Sequence, residues 1–506
     1  MTTAGVYDRI MEIATRRGFF WPSFEIYGGL SGFVTYGNLG TKLKRNIEAA
    51  WREFFVKPHG FLELEDPILN PKKIFEASGH LEHFKEYMVE CGLCGKNYRA
   101  DHVIEEKTGL EHIEAKGMEE ISRLLKEGKI VCPDCGGELV EPNMFLTMFQ
   151  TTIGPMGGEV GYARPETAQG MFLNFKRGFQ HAHERLPFAL AQTGKVLRNE
   201  ISPRRGMIRL REFTIMELEL FFDPQNSSCR WLDDVANEDI NIFTEEMEER
   251  EEKTPLVESI VNAVKSGHIK TEWQAYFMGV SKRFMNHLGI PTERQRFRAH
   301  LPLERSHYSA QTFDHEIHSD ALGWIEVAGH AYRTDYDLKA HQSGSGVDMS
   351  VTRTDGIKIT PHVIEPSFGL DRLVYITMEN SYLRKKDRNI FAIPKAIVPI
   401  QVSVFPLVTK DDLPRKATEV FNQIRDSGLM VEYDEGVSIG RMYARADEIG
   451  TPLAVTIDYR TLEDETVTIR DRDSWSQVRP SIGELPSLLD RYFKGKLAFE
   501  DLGNKA

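Results

Sequence analysis

The segment Val196–Phe213 concentrates residues that could bind a polyanion, because five arginines and two glutamates stand among its apolar residues. Polar and apolar residues alternate on both sides of a central proline and glycine, which predicts two strands joined by a turn. The alternation would place Arg209 and Arg211 on the same strand face as Phe213. Arginines held in place bind phosphate oxygens, and an aromatic ring can stack on a purine. The segment therefore predicts an ATP site on a sheet, with an exposed strand carrying cross-strand ion pairs as the alternative.

A second segment, Glu365–Arg372, adds charge at a point where a strand passes into a helix. Ser367 lies near the predicted strand end, Gly369 permits a kink, and Arg372 enters the helix. A third signal is Pro67, near the end of a short predicted strand earlier in the chain. No one segment decides between the two readings, but the three in this order favour the ATP site.

Four of the five cysteines form two C-x-x-C pairs, and each pair is followed by glycine. Such a turn lets two thiolates face one point, and two turns of this kind supply the four soft ligands of a tetrahedral zinc site. The sequence therefore predicts one structural Zn²⁺ per chain, with a redox-active pair or reduced core thiols as the alternatives. The ligands would be Cys91, Cys94, Cys132 and Cys135. Cys229 lies outside the set, and we assign it no role.

The length and charge of the chain restrict its class. A chain of 506 residues exceeds what one hydrophobic core usually serves, which predicts two or three domains. The formal net charge is −13, so any nucleic-acid site must be local. No apolar run approaches the roughly 20 residues of a membrane span, and the first residues form a charged, periodic pattern unlike a signal peptide. We therefore expect a cytoplasmic enzyme that makes no membrane contact.

The pattern along the chain predicts two domains. Residues 1–392 form a catalytic unit with two insertions, a zinc-binding one at 88–142 and an acidic, helical one at 224–305. Residues 393–506 change character, because apolar strands there alternate with amphipathic helices. That region predicts a separate α/β domain with its own core.

Several segments together resemble one family. The region around Pro67, "LRNEISPRRGMIRLREFTIMELE" and "VIEPSFGLDR" resemble the three motifs of class II aminoacyl-tRNA synthetases. "RRGFFWPSFEIYGGLSGFVTYGNLG", "SGHLEHF", "RPETAQGMFLNFK" and "GTPLAVTIDYRTLEDETVTIRDRDS" resemble the homodimeric type of glycyl-tRNA synthetase. The likeness runs from about residue 18 to the end. It implies an α/β (α+β) fold, with an antiparallel catalytic sheet flanked by helices, a C-terminal α/β anticodon-binding domain and the zinc-knuckle insertion.

The resemblance implies ATP-dependent attachment of glycine to tRNA(Gly) in two steps. Glycyl-adenylate forms with release of pyrophosphate, and the glycyl group then passes to the tRNA 3′ end. An alternative is a non-catalytic, dimeric accessory protein that binds nucleic acid on the same fold. Such a protein would be expected to lose the phosphate arginines, which are present here. A synthetase for proline, threonine or histidine would share the C-terminal domain type, but it gives no reason for three glutamates around so small a substrate.

The resemblance also assigns an ATP site. Arg198 would hold the α-phosphate, Glu200 would accept from the adenine amino group, and Phe213 would stack under the ring with Arg372 above it. Glu326 matches a contact to ATP and Mg²⁺. We expect Arg198 and Arg372 to be catalytic. The residues predicted to bind ATP are, in full, Arg198, Asn199, Glu200, Ile208, Arg209, Leu210, Arg211, Glu212, Phe213, Glu326, Val327, Gly369, Leu370, Asp371 and Arg372.

The implied glycine site uses carboxylates to bind the ammonium group. Glu166, Glu217 and Glu365 match the ammonium-binding glutamates, and Ser367 would crowd the α-carbon. Overpacking of this kind disfavours a larger substrate by about 1–3 kcal/mol. For Glu166 the alternative is a carboxylate at a helix start. The residues predicted to bind glycine are Arg99, Glu166, Phe213, Thr214, Ile215, Met216, Glu217, Arg333, Glu365, Pro366, Ser367, Phe368 and Gly369.

The sequence departs from the common pattern of the family at two places. Tyr332 stands before Arg333, where the family commonly has an acidic or amide residue, and the zinc knuckles occur in only part of the family. Pro67 matches a subunit-interface motif, so the resemblance implies a homodimer.

The resemblance also implies that the C-terminal domain binds the anticodon loop of tRNA. Proteins recognise single-stranded RNA loops by stacking and by hydrogen bonds to base edges. The candidate arginines for reading the anticodon are Arg441, Arg445, Arg460, Arg470 and Arg472.

Overall fold

The computed structural model describes residues 3–110, 113–203, 206–353 and 355–506. It begins with helix α1 (Thr3–Arg17), which is followed by the paired strands Phe20–Pro22 and Val34–Tyr36 and by helix α2 (Asn38–Phe55). Helix α2 buries residues three or four positions apart, the spacing of one helix face.

A nine-stranded sheet forms the centre of the catalytic domain. Its strands, in chain order, are β1 (Leu62–Glu63), β2 (Phe188–Leu197), β3 (Glu212–Phe222), β4 (Asp239–Phe243), β5 (Leu256–Ser259), β6 (Gln295–Ala299), β7 (Gln311–Ser319), β8 (Gly323–Thr334) and β9 (His362–Gly369). The spatial order is β5-β4-β6-β7-β8-β9-β3-β2-β1. The strands from β6 to β2 are antiparallel to their neighbours, whereas β1 and β4 join through parallel pairs.

The two faces of this sheet have different partners. Helices α2, α3 (Glu272–His287) and α4 (Leu370–Ser381) cover one face and form the main core with residues such as Met216 and Phe368. Side chains alternate along a strand, so the residues between them point to the opposite face. That face is covered at one end by the short helices Ala168–Leu173 and Phe175–His181. Its remaining part is open, and it carries the candidate site.

Two sequence predictions about this domain are wrong. Strand β2 ends at Leu197 and strand β3 begins at Glu212, so Arg209 and Arg211 lie in the loop between them and not on a strand face. In this loop the backbone N–H of Arg211 donates to the carbonyl of Gly32. The predicted helical insertion at 224–305 also contains strands β4, β5 and β6, which extend the central sheet.

The cysteine-bearing insertion is a small unit with its own core. Strands Lys85–Glu90, Asn97–Arg99 and Asn143–Leu146 form its sheet, and helices Ala100–Thr108 and Gly117–Glu127 pack against them. A neighbouring sheet contains strands Leu69–Pro71, Gln150–Ile153 and Glu159–Ala163.

The C-terminal region is an α/β domain, as predicted. Its sheet contains β10 (Val402–Pro406), β11 (Val431–Tyr433), β12 (Leu453–Ile457), β13 (Thr468–Asp471), β14 (Gln477–Arg479) and β15 (Asn504–Lys505). Helices α5 (Leu413–Asp426), α6 (Ile439–Ile449) and α7 (Leu485–Phe493) accompany it, and the domain has a separate core. Glu448 of α6 joins the domain to α1 through ion pairs with Arg16 and Arg17.

Shorter elements connect these units. The helices are Lys72–Ala77, His80–His83, Leu232–Val235, Glu245–Glu249, Ile260–Lys265, Tyr336–Ser345 and Tyr459–Asp464. Strand pairs occur at Val351–Thr352 with Lys358–Ile359 and at Tyr382–Lys385 with Arg388–Phe391. Single 3₁₀ turns lie at Glu25–Tyr27, Lys57–His59, Ile113–Lys116, Gly206–Ile208, Thr292–Arg294, Ile482–Glu484 and Phe499–Leu502. Among the described residues, none of these helices has the length and apolar composition needed to cross a membrane.

Candidate active site

A cavity of about 210 Å³ lies on the open face of the central sheet, between the loop 198–211 and strands β3, β8 and β9. Most of the predicted ATP and glycine residues converge on it. The predicted residues that line it are Glu166, Arg198, Glu200, Ile208, Arg209, Leu210, Phe213, Ile215, Glu217, Glu326, Val327, Glu365, Ser367, Gly369, Asp371 and Arg372.

Three buried carboxyl groups stand at one end of this cavity. Glu217 accepts a hydrogen bond from the Ser367 hydroxyl at 2.6 Å and from the backbone N–H of Thr167 at 2.9 Å. Glu166 accepts from the side-chain amide of Gln169 at 2.9 Å. Glu166 precedes the helix Ala168–Leu173 and faces the cavity, so it is more than a solvated carboxylate at a helix start. The arrangement concentrates carboxyl groups on buried side chains at this end of the cavity.

Arg333 is the cation that holds this cluster together. Its Nη1 lies 2.6 Å from Oε2 of Glu365, and its Nε lies 2.8 Å from Oδ2 of Asp337. Its Nη2 lies 3.5 Å from Oε1 of Glu166. The guanidinium carbon also lies 3.7 Å from the centre of the Tyr308 ring. Arg333 is fully buried, so its role is to balance several carboxylates at once.

The environment shifts the pKa values of the three glutamates in different directions. Burial, reinforced by neighbouring carboxylates, raises the pKa of Glu217 and raises that of Glu365 to about 7 despite the opposing Arg333. Burial acts on Glu166 as well, but the charges of His80 and Arg333 outweigh it and lower its pKa. The cluster therefore combines Glu166, whose ionised form is favoured, with Glu217 and Glu365, which take up a proton at a higher pH than an ordinary glutamate does.

The other end of the cavity carries cations and one aromatic ring. The guanidinium of Arg198 lies 5.5 Å from the centre of the Phe213 ring, and its Nε donates to the carbonyl of Pro165 at 3.1 Å. Arg372 donates from Nη1 to Oε2 of Glu326 at 2.9 Å. Nε of Arg209 lies 3.5 Å from a carboxylate oxygen of Glu200. This end has the charge that a triphosphate would require.

Several predicted residues lie outside this cavity. Arg211 donates to the carbonyls of Glu200 and Ser31, so it braces the loop. Arg99 pairs with Glu86 at 2.6 Å and lines a neighbouring groove of about 680 Å³. Strand alternation turns Met216 and Phe368 into the core, as it does the hydroxyl-bearing Thr214. Asn199, Glu212, Pro366 and Leu370 also do not line the cavity, and Arg204 and Arg205 lie outside the described residues.

Sequence reasoning missed several residues that shape the site. Asp337 and Tyr308 contact Arg333, and His80 lies 3.3 Å from Glu166. Gly329 lines the cavity beside Ser367, with no atom near the position of a side chain. Arg333 lies on strand β8 and Asp337 on the helix Tyr336–Ser345, so no helical spacing in the sequence relates the two residues.

The four predicted zinc ligands converge. Their sulfur atoms all lie within 4.8 Å of one another, and the Sγ pairs Cys91–Cys135 and Cys94–Cys132 are 3.5 and 3.8 Å apart. A tetrahedral Zn²⁺ with bonds of about 2.3 Å requires sulfur atoms about 3.8 Å apart. The four thiols therefore fit a zinc ion in both chemistry and spacing.

The structure corrects two of the anticodon candidates. Arg470 is buried and donates to Asp447 at 2.9 Å. Arg472 is also buried and donates to the carbonyls of Ile393 and Gly450. These hydrogen bonds hold both arginines in the interior of the protein, so neither is available to bind RNA bases. Arg445 and Arg460 form ion pairs with Asp434 and Asp464, and Arg441 is exposed.

Comparison with known proteins agrees with this architecture. Residues 158–381 match the tRNA synthetase class II core domain (G, H, P, S and T), and residues 401–492 match the anticodon binding domain. In overall fold the chain is similar to prolyl-tRNA synthetases from Cryptosporidium parvum and Giardia lamblia, with TM-scores of 0.58 and 0.60. Each likeness covers 96% of this chain and 75% of the other at 13% identity, so it concerns the fold alone.

Sequence relatives are much closer. The glycine–tRNA ligase of Aeropyrum pernix is 40% identical, with 98% of each chain covered. That of Thermococcus gammatolerans is 42% identical, covering 97% of this chain and 99% of the relative. Identity at this level over nearly the full length, together with both domain matches, is sufficient to assign the family. The chain belongs to the glycine–tRNA ligases, a family of class II aminoacyl-tRNA synthetases.

Proposed function

We propose that this chain forms glycyl-adenylate in the cavity on the central sheet and then transfers the glycyl group to the 3′ end of tRNA(Gly). The observation that carries the proposal is the placement of three carboxyl groups and one buried arginine around a small cavity that adjoins Arg198, Arg209 and Arg372. Glycine offers only an ammonium group, a carboxylate and two hydrogens, and ATP adds a polyanion. The end of the cavity with the three carboxyl groups would complement glycine, and the end with the arginines would complement ATP.

Glycine recognition follows from charge and size. Glu166, Glu217 and Glu365 would surround the ammonium group, while Arg333 keeps the cluster from carrying uncompensated charge. The Ser367 hydroxyl is already committed to Glu217, so its position is fixed. Ser367 and the neighbouring Gly329 together leave room for two α-hydrogens and exclude a larger side chain.

Adenylate formation requires positioning more than proton transfer. A carboxylate oxygen of glycine attacks the α-phosphorus of ATP, the bond to the β-phosphate breaks, and pyrophosphate leaves with the electron pair. The attacking carboxylate is already ionised, so no general base is needed. Arg198 would stabilise charge on the α-phosphate, and Arg372 charge nearer the γ-phosphate. Phe213 and Glu200 would hold the adenine, and Mg²⁺ bound with ATP near Glu326 would offset phosphate charge.

The remaining partners are proposed from surface features. The C-terminal domain would bind the anticodon arm of tRNA, with Arg441 as the exposed candidate. A homodimer is supported by exposed apolar residues, with Ile26 and Tyr27 89% and 87% exposed. We place the protein in the cytoplasm, where tRNA is charged for translation.

We propose that Zn²⁺ is held by Cys91, Cys94, Cys132 and Cys135. Its chemistry would be structural, since four thiolates leave no open coordination position for substrate. The ion would tie the two C-x-x-C turns of the insertion together. The insertion borders the groove that Arg99 lines, so the metal would fix one wall of that groove.

Acylation of tRNA(Gly) with labelled glycine and ATP tests the proposal. We expect glycyl-tRNA that is stable at acid pH and released by mild base, as an ester is. Absence of product at saturating substrates, from protein whose structure is intact by circular dichroism, would contradict the proposal. That outcome would favour the non-catalytic accessory protein.

A further inference from the structure

One buried carboxyl group beneath the glycine pocket has no role in the scheme above. Glu219 follows Glu217 by two residues on β3, and the strand register places it opposite Glu365 on β9. Its side chain is fully buried. Within the described residues, no donor reaches either of its carboxyl oxygens with full hydrogen-bond geometry. Glu219 does not line the cavity, so it can affect glycine only through a neighbour.

The surroundings of Glu219 favour its protonated form. The charged groups that face it are Glu365 from β9, Glu217 from its own strand and Arg333 from β8. Burial and then the charge of Glu365 raise the pKa of Glu219 well above its ordinary value. Arg333 opposes this shift, but its nitrogen atoms are directed at Glu365, Asp337 and Glu166. An ionised Glu219 would therefore be a buried charge without a partner.

We propose that Glu219 is a positioning residue for glycine recognition, whose neutral carboxyl group directs its hydrogen towards Glu365 and holds that carboxylate turned to the glycine ammonium group. The inference rests on the proposed role of Glu365. One oxygen of Glu365 is fixed by Arg333 at 2.6 Å, and contact with Glu219 restrains the group from the opposite strand. A hydrogen bond donated to a carboxylate also favours its ionised form. Glu219 thus offsets part of the effect of burial on Glu365.

Two substitutions separate this role from simple packing. Glu219→Gln keeps the shape and an N–H donor without a charge, whereas Glu219→Met keeps the volume and removes the donor. The assay is ATP–pyrophosphate exchange, with KM measured for glycine and for ATP. We expect Glu219→Gln to retain the wild-type glycine KM within about twofold, and Glu219→Met to raise it at least about tenfold with little change in the KM for ATP.

Other outcomes have distinct meanings. An unchanged glycine KM in folded Glu219→Met, or an equal increase in both variants, would overturn the role of Glu219. If Glu219→Met does not fold, Glu219→Asp carries the test, because it keeps the proton but withdraws it from Glu365. It should then raise the glycine KM, and an unchanged value would overturn the proposal. Glu379→Gln, at a buried glutamate that accepts from Ser319 far from the pocket, should lower thermal stability without changing either KM.

The wild-type enzyme distinguishes the two levels of inference. Absence of glycine-dependent exchange in the wild type would count against the proposed function itself. Normal wild-type exchange with unaltered variants would count only against Glu219.

Discussion

Arg333 and Glu365 form a buried ion pair on adjacent strands, with Nη1 of the arginine 2.6 Å from Oε2 of the glutamate. The same guanidinium group contacts Asp337 and Glu166, so a single cation supports most of the negative charge of the pocket. The pair links the stability of the sheet to the geometry of glycine recognition. Substitution of either residue should therefore change both the stability of the catalytic domain and the binding of glycine.

Arg333→Ala should destabilise the catalytic domain by about 3–5 kcal/mol, because it leaves Glu365, Asp337 and Glu166 without their shared cation. Urea unfolding followed by fluorescence measures this change. Arg353→Ala, which removes a partly exposed ion pair with Asp223, is the control and should cost less than about 1 kcal/mol. An equal loss in the two variants would show that the buried cluster contributes nothing special.

Gly329→Ala should close the glycine pocket without disturbing the fold. The position lines the cavity, and an added Cβ would meet no atom within 4 Å. We expect the glycine KM to rise about 10- to 100-fold, which corresponds to an overpacking cost of about 1–3 kcal/mol. Gly440→Ala, also in open space but on α6, should leave the glycine KM unchanged without lowering the melting temperature, because alanine favours a helix more than glycine does. Normal glycine binding by Gly329→Ala would place the substrate elsewhere.

Glycine activation should weaken in acid. Burial raises the pKa of Glu365 to about 7 against the opposing charge of Arg333, and protonation removes a negative charge that the ammonium group requires. The value of kcat/KM for glycine should therefore fall, by up to about tenfold per pH unit, as pH drops below 7. Exchange kinetics between about pH 5.5 and 8 would show this inflection. Glu365→Gln should be less active throughout and lack the inflection, and a persistent inflection in that variant would assign it to another group.

Arg198→Ala should slow adenylate formation about 100- to 1,000-fold, the usual effect of removing one group that stabilises transition-state charge. Rapid-quench measurement of glycyl-adenylate in a single turnover isolates this step. Arg250→Ala removes an exposed arginine that pairs with Glu246, and it should have wild-type kinetics. More than a few per cent of wild-type activity in Arg198→Ala would contradict the assigned role.

Metal analysis of the purified protein should find about one zinc per chain. Cys94→Ser should reduce this content and expose the insertion to proteolysis, because metal binding and folding of such units are coupled. Cys229→Ser, at a cysteine remote from the cluster, should retain the metal. A wild-type chain that is fully folded without metal would refute the site.

The sequence was most informative where function depends on local spacing. Both C-x-x-C turns, the alternation that directs Glu217 at the site and the three amphipathic helices α5, α6 and α7 of the C-terminal domain could be predicted. Each of these features is a repeat or pairing within a few residues. The structure adds to the C-terminal domain three strands, β11, β14 and β15, and the short helix Tyr459–Asp464, which the pattern does not predict.

Long-range contacts account for what the sequence did not reveal. The alternating residues around Arg209 predict a strand, but they form a loop, in which the backbone N–H of Arg211 donates to the distant Gly32. Gly329 belongs to the site through the position of β8 in the sheet, and Tyr308 through the turn before β7, and no local pattern shows either. The strands within 224–305 were hidden by an acidic stretch that dominates the composition there.

The most direct test of the account is ATP–pyrophosphate exchange with each of the twenty amino acids in turn, without tRNA. Exchange that depends on glycine, with alanine at least about tenfold poorer in kcat/KM, is the predicted result. It would support both the carboxylate pocket and the adjoining phosphate site. Exchange of comparable efficiency with alanine or with any larger amino acid would contradict the pocket assignment at the centre of the account.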